Sequence, residues 1–144
     1  MEALRIADFL SPQERSFIDD TAPPRDACVQ MSWRYECLWV LLWALGLINE
    51  LGSPDRQMDP AVAMGIIDNL GRERLAAQAR LRPAGELLDA ADLIYCCHWA
   101  VRDAEFFGRE PPPGLDPGVV RERHHALNWL IGHGEDWDEV STDT

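Results

Sequence analysis

Apolar positions along this chain recur at steps of three and four, and no stretch shows the strict alternation of a half-buried strand. The strongest block is Trp33 to Ile48, WRYECLWVLLWALGLI, in which Cys37 to Ile48 carry no charged or strongly polar side chain. Trp39 and Trp43 stand one turn apart, and Leu38, Leu41, Leu42 and Leu45 fill most of the remaining circumference. A helix that is apolar all round is buried all round. The run falls well short of the ~20 residues that a bilayer core demands. The pattern therefore predicts a buried central helix over about residues 27–48, capped by Asp26, weakened near its end by Gly46 and brought to a stop by Gly52-Ser53-Pro54. Trp39, Leu42, Trp43 and Leu45 are expected to be almost fully buried in it.

The other segments take their places around it. Residues 3–10 suit a short helix anchored by Leu4, Phe9 and Leu10. Ser11-Pro12-Gln13-Glu14 combines a cap, Pro at the first helical position and Glu three residues after the cap, which predicts a helix ending by Asp20. Pro23-Pro24 then forces an extended turn. Asp59-Pro60 repeats the cap-plus-Pro signal ahead of Ala63, Ile66, Ile67 and Leu70, with Gly71 as the stop and a short helix over 72–80. Pro83 opens the longest helix, to about Phe107, with Leu87, Ala91, Ile94, Cys97 or Val101, and Ala104 as its apolar line. Asp116-Pro117 opens the last helix, over about 117–131, with Val119, Val120, Leu127, Leu130 and Ile131 inward. The acidic tail 135–144 follows. With no strand and no internal repeat, the chain reads as an all-α, single-domain helical bundle spanning residues 1–144.

Charge narrows the partners. The formal net charge is −12 and the sequence pI about 4.6. Phosphate backbones and anionic membrane surfaces attract Lys and Arg, so neither nucleic acid nor membrane suits this chain. All 13 basic residues are Arg. Arg pairs with carboxylates through a rigid fork, which predicts some internal ion pairs, although genomic base composition explains the bias more simply. Cys28, Cys37, Cys96 and Cys97 lack metal-ligand spacing and read as reduced core residues, which suits the cytoplasm. No signal peptide or lipidation motif is visible.

Two patterns could carry chemistry. On the long helix, Glu86, Asp89, Asp92, Tyr95, His98, Arg102 and Glu105 form a polar line. It reads either as a titratable groove, with His98 as acid or base and Asp89 and Asp92 as its carboxylates, or as the solvated face of an amphipathic helix; the second reading is the simpler. Glu122 and His125 make one Glu-x-x-His, the motif that supplies two ligands in di-iron bundles. A second such motif is missing, so no metal or other cofactor is expected, and His125 is expected to face out. Arg123 and His124 are different. Their neighbours one turn away are Val119, Val120, Leu127, Leu130 and Ile131, so both project toward the core, and Glu36 shares its stripe with Trp33, Val40 and Trp43. A lone buried charge costs several kcal/mol, so Glu36 and Arg123 should pair, directly or through His124; Arg34 is the rival partner for Glu36, and Asp89 or Asp92 for Arg123. The candidate polar cluster, structural or functional, is Arg34, Glu36, Asp89, Asp92, His98, Arg102, Glu122, Arg123, His124 and Asn128. No nucleophile motif or phosphate-binding loop is present.

Trp33-Arg34 with Glu36, Leu41-Leu42-Trp43-Ala44-Leu45-Gly46 and Leu81-Arg82-Pro83 form one set of blocks. His98-Trp99-Ala100-Val101-Arg102-Asp103-Ala104 and Glu122-Arg123-His124 with Ala126-Leu127-Asn128-Trp129-Leu130 continue it. Asp136-Trp137-Asp138 and Thr142-Asp143-Thr144 close it. In these blocks the chain resembles the domain-of-unknown-function family DUF4272, from about residue 10 onward. The resemblance implies a fold and no activity; relatives often carry more sequence upstream, which leads to the expectation that an N-terminal helix or two is missing from this sequence. Three functions fit the residues: an acidic interaction or accessory module for a basic protein partner, a homo-oligomer joined by spare Trp and Phe surface, and an enzyme or metal-binding bundle using His98, His124 or His125. The first accounts for the charge most directly.

Overall fold

A computed structural model describes residues 6–144. Among them the regular elements are all helical: α1 (Pro12–Asp19), α2 (Arg25–Ser32), α3 (Arg34–Ala44), α4 (Pro60–Gln78), α5 (Ala84–Phe106) and α6 (Pro117–Leu130), with 3-10 turns at Ile6–Phe9 and Trp137–Glu139. The protein is all-α, as the periodicity requires. The cap-plus-Pro signals mark true starts. Ser11 and Glu14 exchange side-chain and backbone hydrogen bonds in a capping box. Asp59 accepts from the Ala61 N–H and Asp116 from the Val119 N–H.

The predicted helix over 27–48 is instead two helices. The first starts at Arg25 behind Pro24, so Asp26 lies in its first turn and is not its cap. The chain then turns at Trp33, whose indole lies on Gly118 in the first turn of α6. A Cβ at Gly118 would stand 2.8 Å from two ring carbons, so no larger residue fits without movement. The second helix stops at Ala44 because Gly46 takes φ 71°. Gly46 donates to the Trp43 carbonyl and Leu47 to the Leu42 carbonyl, both at 2.9 Å, which satisfies two carbonyls left open at a helix end.

Leu42 and Trp43 are buried as expected, whereas Trp39 and Leu45 are only half-buried. The reason lies in α1 and α2, which contribute no buried residue and leave one side of α3 partly open. The core sits between α3, α5 and α6. Val40, Trp43 and Ala44 of α3, Leu87, Ala91, Ile94 and Val101 of α5, and Val120, Ala126 and Leu127 of α6 form one cluster, with α6 packed against both α3 and α5. From α4 only Ala63 is buried, and Gly71 breaks that helix at φ 66°, so the expected short helix over 72–80 is its second half. Of the three N-terminal anchors, Phe9 is exposed and Leu10 half-buried; Leu4 lies outside the described residues. Cys37 is buried, but Cys28 and Cys96 are exposed, so the cysteines are not uniformly core residues.

One tie in the fold has no counterpart in the hydrophobic pattern. Arg82 reaches the C-terminal end of α3, where its Nε donates to the Trp43 carbonyl at 2.6 Å and Nη2 to the Ile48 carbonyl at 2.8 Å. Its guanidinium lies 4.7 Å from the centre of a Trp43 ring. A cation at a helix C-terminus answers the negative end of the helix dipole.

Candidate functional site

Four charged or strongly polar side chains are buried among the described residues: Glu36, His98, Arg123 and His124. They form two groups on the seams that α6 makes with α3 and α5. On the α3 seam, Arg123 Nε lies 3.8 Å from Glu36 Oε2, so the expected tie is direct. It is a Coulombic pair, since neither of those atoms makes a hydrogen bond. The remaining donors and acceptors turn to the connection after α3. Arg123 donates through Nη1 to the Gly52 carbonyl at 2.7 Å and through Nη2 to the Leu51 carbonyl at 3.2 Å. Met58 N–H donates to Glu36 Oε1 at 2.5 Å, and Trp39 Nε1 donates to the Leu51 carbonyl. Burial pushes the Glu36 carboxyl above its ordinary range, against the pull of the Met58 N–H and of Arg123. Burial likewise lowers the Arg123 guanidinium, against the pull of Glu36.

On the α5 seam, His98 Nδ1 and His124 Nδ1 stand 2.7 Å apart. Asn128 Nδ2 lies 3.0 Å from His124 Nε2 and donates to the Ser141 carbonyl at 2.9 Å. The Ser141 carbonyl can only accept, so it fixes which end of the Asn128 amide faces it. The second amide hydrogen then points at His124 Nε2, which accepts. His124 therefore carries its proton on Nδ1 and gives it to His98 Nδ1, leaving the His98 proton on Nε2. Two protonated Nδ1 atoms could not stand so close, and at least one imidazole of the pair stays neutral. Burial, aided by His98 and His133, lowers His124 to about 4. His98 is lowered as well, by burial and then by Arg121 and Arg102.

His98 thus belongs to the buried line and not to a solvated polar face. Leu87, Ala91, Ile94, His98 and Val101 follow one another at steps of four and three, and His98 fills the slot between Ile94 and Val101. Asp89, Asp92 and Arg102 stay exposed, and neither aspartate pairs with Arg123. Arg34 pairs with Glu122 at 3.5 Å, while the Cys37 thiol donates to Glu122 Oε2 at 3.3 Å. Burial, reinforced by Glu122, pushes that thiol far above its ordinary range, so Cys37 is no nucleophile. His125 does not face out. It is half-buried with its ring 4.7 Å from that of Trp137. Burial and then Arg34 lower its pKa.

About 100° round α5 from the buried line lie further large apolar residues, of which Tyr95 also sets its ring edge-on to His124. Leu88, Tyr95, Trp99 and Phe106 are 49%, 46%, 54% and 83% exposed. At 100° per residue they fall within about 20° of one line and span about 27 Å. Their spacing of seven, four and seven is legible in the sequence, but the interleaved Asp89, Asp92 and Arg102 drew attention to a charged face instead.

The model of the family described as Domain of unknown function (DUF4272) matches residues 1–140. The chain belongs to the DUF4272 family. Neither a curated protein nor a solved structure matches it. In this DUF4272 chain the blocks that carry the family likeness are also the buried ties, with Glu36, Arg82, His98, Arg123, His124 and Asn128 all engaged in contacts between elements. A cleft of about 320 Å³, bounded by Asp92, Tyr95, His133 and Asp143 among others, reaches His124. Both ring nitrogens of that histidine are already committed to protein partners. Among the described residues no three His, Cys, Asp or Glu side chains converge where they could hold a metal ion. No described helix is long and apolar enough to cross a membrane.

Proposed function

We propose that this chain works by protein–protein contact, as an interaction or accessory module whose contact surface is the exposed face of α5. The observation that carries this reading is the line of Leu88, Tyr95, Trp99 and Phe106, each about half exposed or more. Large apolar side chains in one contiguous line on a surface mark contact sites, and aromatic residues are enriched at interface centres. The buried polar cluster supports the same conclusion from the other side. His98, His124, Arg123 and Glu36 point at one another or at backbone groups, which suits a rigid scaffold and leaves these four side chains engaged within the fold. Unpaired cysteines support a reducing compartment such as the cytoplasm.

The homo-oligomeric alternative would use the same surface. A tagged copy, cross-linked in its own cells, should carry protein adducts, untagged copies of itself included. Changing Trp99→Glu and Phe106→Glu together should remove them while the circular dichroism stays unchanged. An identical set of adducts on the doubly changed protein would overturn the proposal.

A further inference from the structure

We infer that the occupant of the exposed face of α5 is a second copy of this chain, docked antiparallel about a two-fold axis level with Cys97 along the helix, midway between Tyr95 and Trp99. This rests on the reading of that face as a contact surface, and it adds the partner. The warrant is the order of residues along the face, which matches itself when reversed. Leu88 and Phe106 each lie nine residues from Cys97, Asp92 and Arg102 each five, and Tyr95 and Trp99 each two. In an antiparallel pair centred there, Leu88 meets the partner's Phe106 and Tyr95 meets the partner's Trp99. Asp92 comes level with the partner's Arg102. A two-fold interface must be self-complementary in this sense, whereas a foreign partner gives the face no reason to mirror itself.

The charges fit the same arrangement. Asp92 and Arg102 lie about 40° to either side of the apolar line, so each pair crosses the seam, within the reach of an Arg stem. Arg102 is free to make that exchange. Its present link to Glu105 is 4.0 Å long and exposed, and Asp92 makes no ion pair among the described residues. Two chains of formal charge −12 repel each other at a distance, so a docking face between them has to keep its own charges paired. Asp92 balances Arg102, and Asp103 is already paired with Arg109 at 2.6 Å, while Asp143 of the tail borders the face at the cleft beside Asp92 and Tyr95. Asp89 and Glu105 lie about 100° away from the line, outside the seam.

Sedimentation of the full chain should give a two-chain mass that dissociates on dilution. Arg102→Asp should weaken the pair about tenfold, the equivalent of 1.4 kcal/mol, by setting two aspartates against each other twice. Adding Asp92→Arg should recover most of that loss, because it rebuilds both ion pairs with their signs exchanged. Register is tested in a Cys28→Ser, Cys96→Ser background. A mixture of Leu88→Cys and Phe106→Cys chains should form a disulfide-linked pair on mild oxidation, and neither variant alone should. A one-chain mass at every concentration overturns the inference. A two-chain mass with no 88-to-106 disulfide overturns it too, since the pair then uses another face or register. A one-chain mass together with Trp99-dependent adducts to a different protein overturns the second copy and leaves the contact surface standing. Loss of the adducts' dependence on Trp99 would remove both.

Discussion

The best-capped helix of this protein is among its least buried, and the helix at its centre has no side-chain cap at all. Helix α1 starts with a complete capping box and buries nothing. Helix α3 starts at Trp33 with no side-chain cap bond, yet it carries Glu36, Cys37, Val40, Leu42, Trp43 and Ala44 into the core. The contrast separates two kinds of information in a sequence. Capping residues decide where a helix begins, because they satisfy its open N–H groups. Burial and ties between elements decide how much that helix matters to the whole.

The largest effects should therefore come from the centre. Arg123→Met leaves Glu36 buried with only the Met58 N–H to hold it and should cost roughly 3–5 kcal/mol. Glu36→Gln should cost less, because the amide can keep one acceptor toward Met58. Combining the two should recover part of the loss, since no charge is then left buried without its counter-charge. Urea melts of the single and combined variants test this, and strictly additive losses would show that the two side chains are not coupled.

Acid should attack the other seam. The unfolded chain binds protons on His98, His124 and His125 near the ordinary histidine pKa of about 6.5, while burial holds all three lower in the folded state, His124 at about 4. Below pH 6.5 the unfolded state thus binds more protons, and stability falls with pH. Full stability lies above about pH 6.5 and drains away toward pH 4, by about 2–3 kcal/mol for His124. Glu36 acts in the opposite direction, because its raised carboxyl favours the folded state as pH falls, but it stands against three histidines. A denaturation midpoint that stays level between pH 7 and pH 4.5 would break this account of the His98–His124 pair.

Gly118→Ala tests the junction between the two regions. Its new Cβ would press on the Trp33 ring where α2 hands over to α3, at a cost of about 1–3 kcal/mol for overpacking. Trp33→Leu in the same chain should relieve most of that cost if the indole is the obstacle. No relief would place the strain in the α6 backbone.

Much of this architecture can be read from residue order. The starts at Ser11, Asp59 and Asp116 are local chemistry, and local chemistry is written in consecutive residues. Glu36, Arg123 and His124 are legible as buried because each interrupts an apolar stripe. The break at Trp33 is not legible, since Trp33 keeps helical dihedrals and no Gly, Pro or capping side chain marks the junction. The same holds for Arg82, whose target carbonyls at Trp43 and Ile48 become available only when the chain returns past the end of α3. His98 is a different kind of failure. Its slot between Ile94 and Val101 was visible in the spacing, but its polarity assigned it to the wrong face. Asn128 gave no sign of its role beyond the family likeness, because its partners are a histidine one turn back and a carbonyl of the tail.

The smallest expected effect tests the comparison most directly, because it strikes the best local signal in the chain. Ser11→Ala deletes the hydroxyl that accepts the Glu14 N–H at 3.2 Å and leaves the Glu14 carboxylate accepting from the backbone N–H of position 11, so half of the box is lost. In an isolated helix the loss of such a cap costs about 1 kcal/mol. Here that cost falls on an eight-residue helix with no buried side chain, which can fray without opening the seams among α3, α5 and α6. Amide hydrogens of α1 should exchange about fivefold faster, the equivalent of that 1 kcal/mol. Those of α3, α5 and α6 should be unchanged, and the global unfolding free energy from urea melts should move by less than about 0.5 kcal/mol. A global loss equal to the full capping energy would mean that α1 folds and unfolds together with the core, and the division between a tied centre and a loosely seated N-terminal pair would fall.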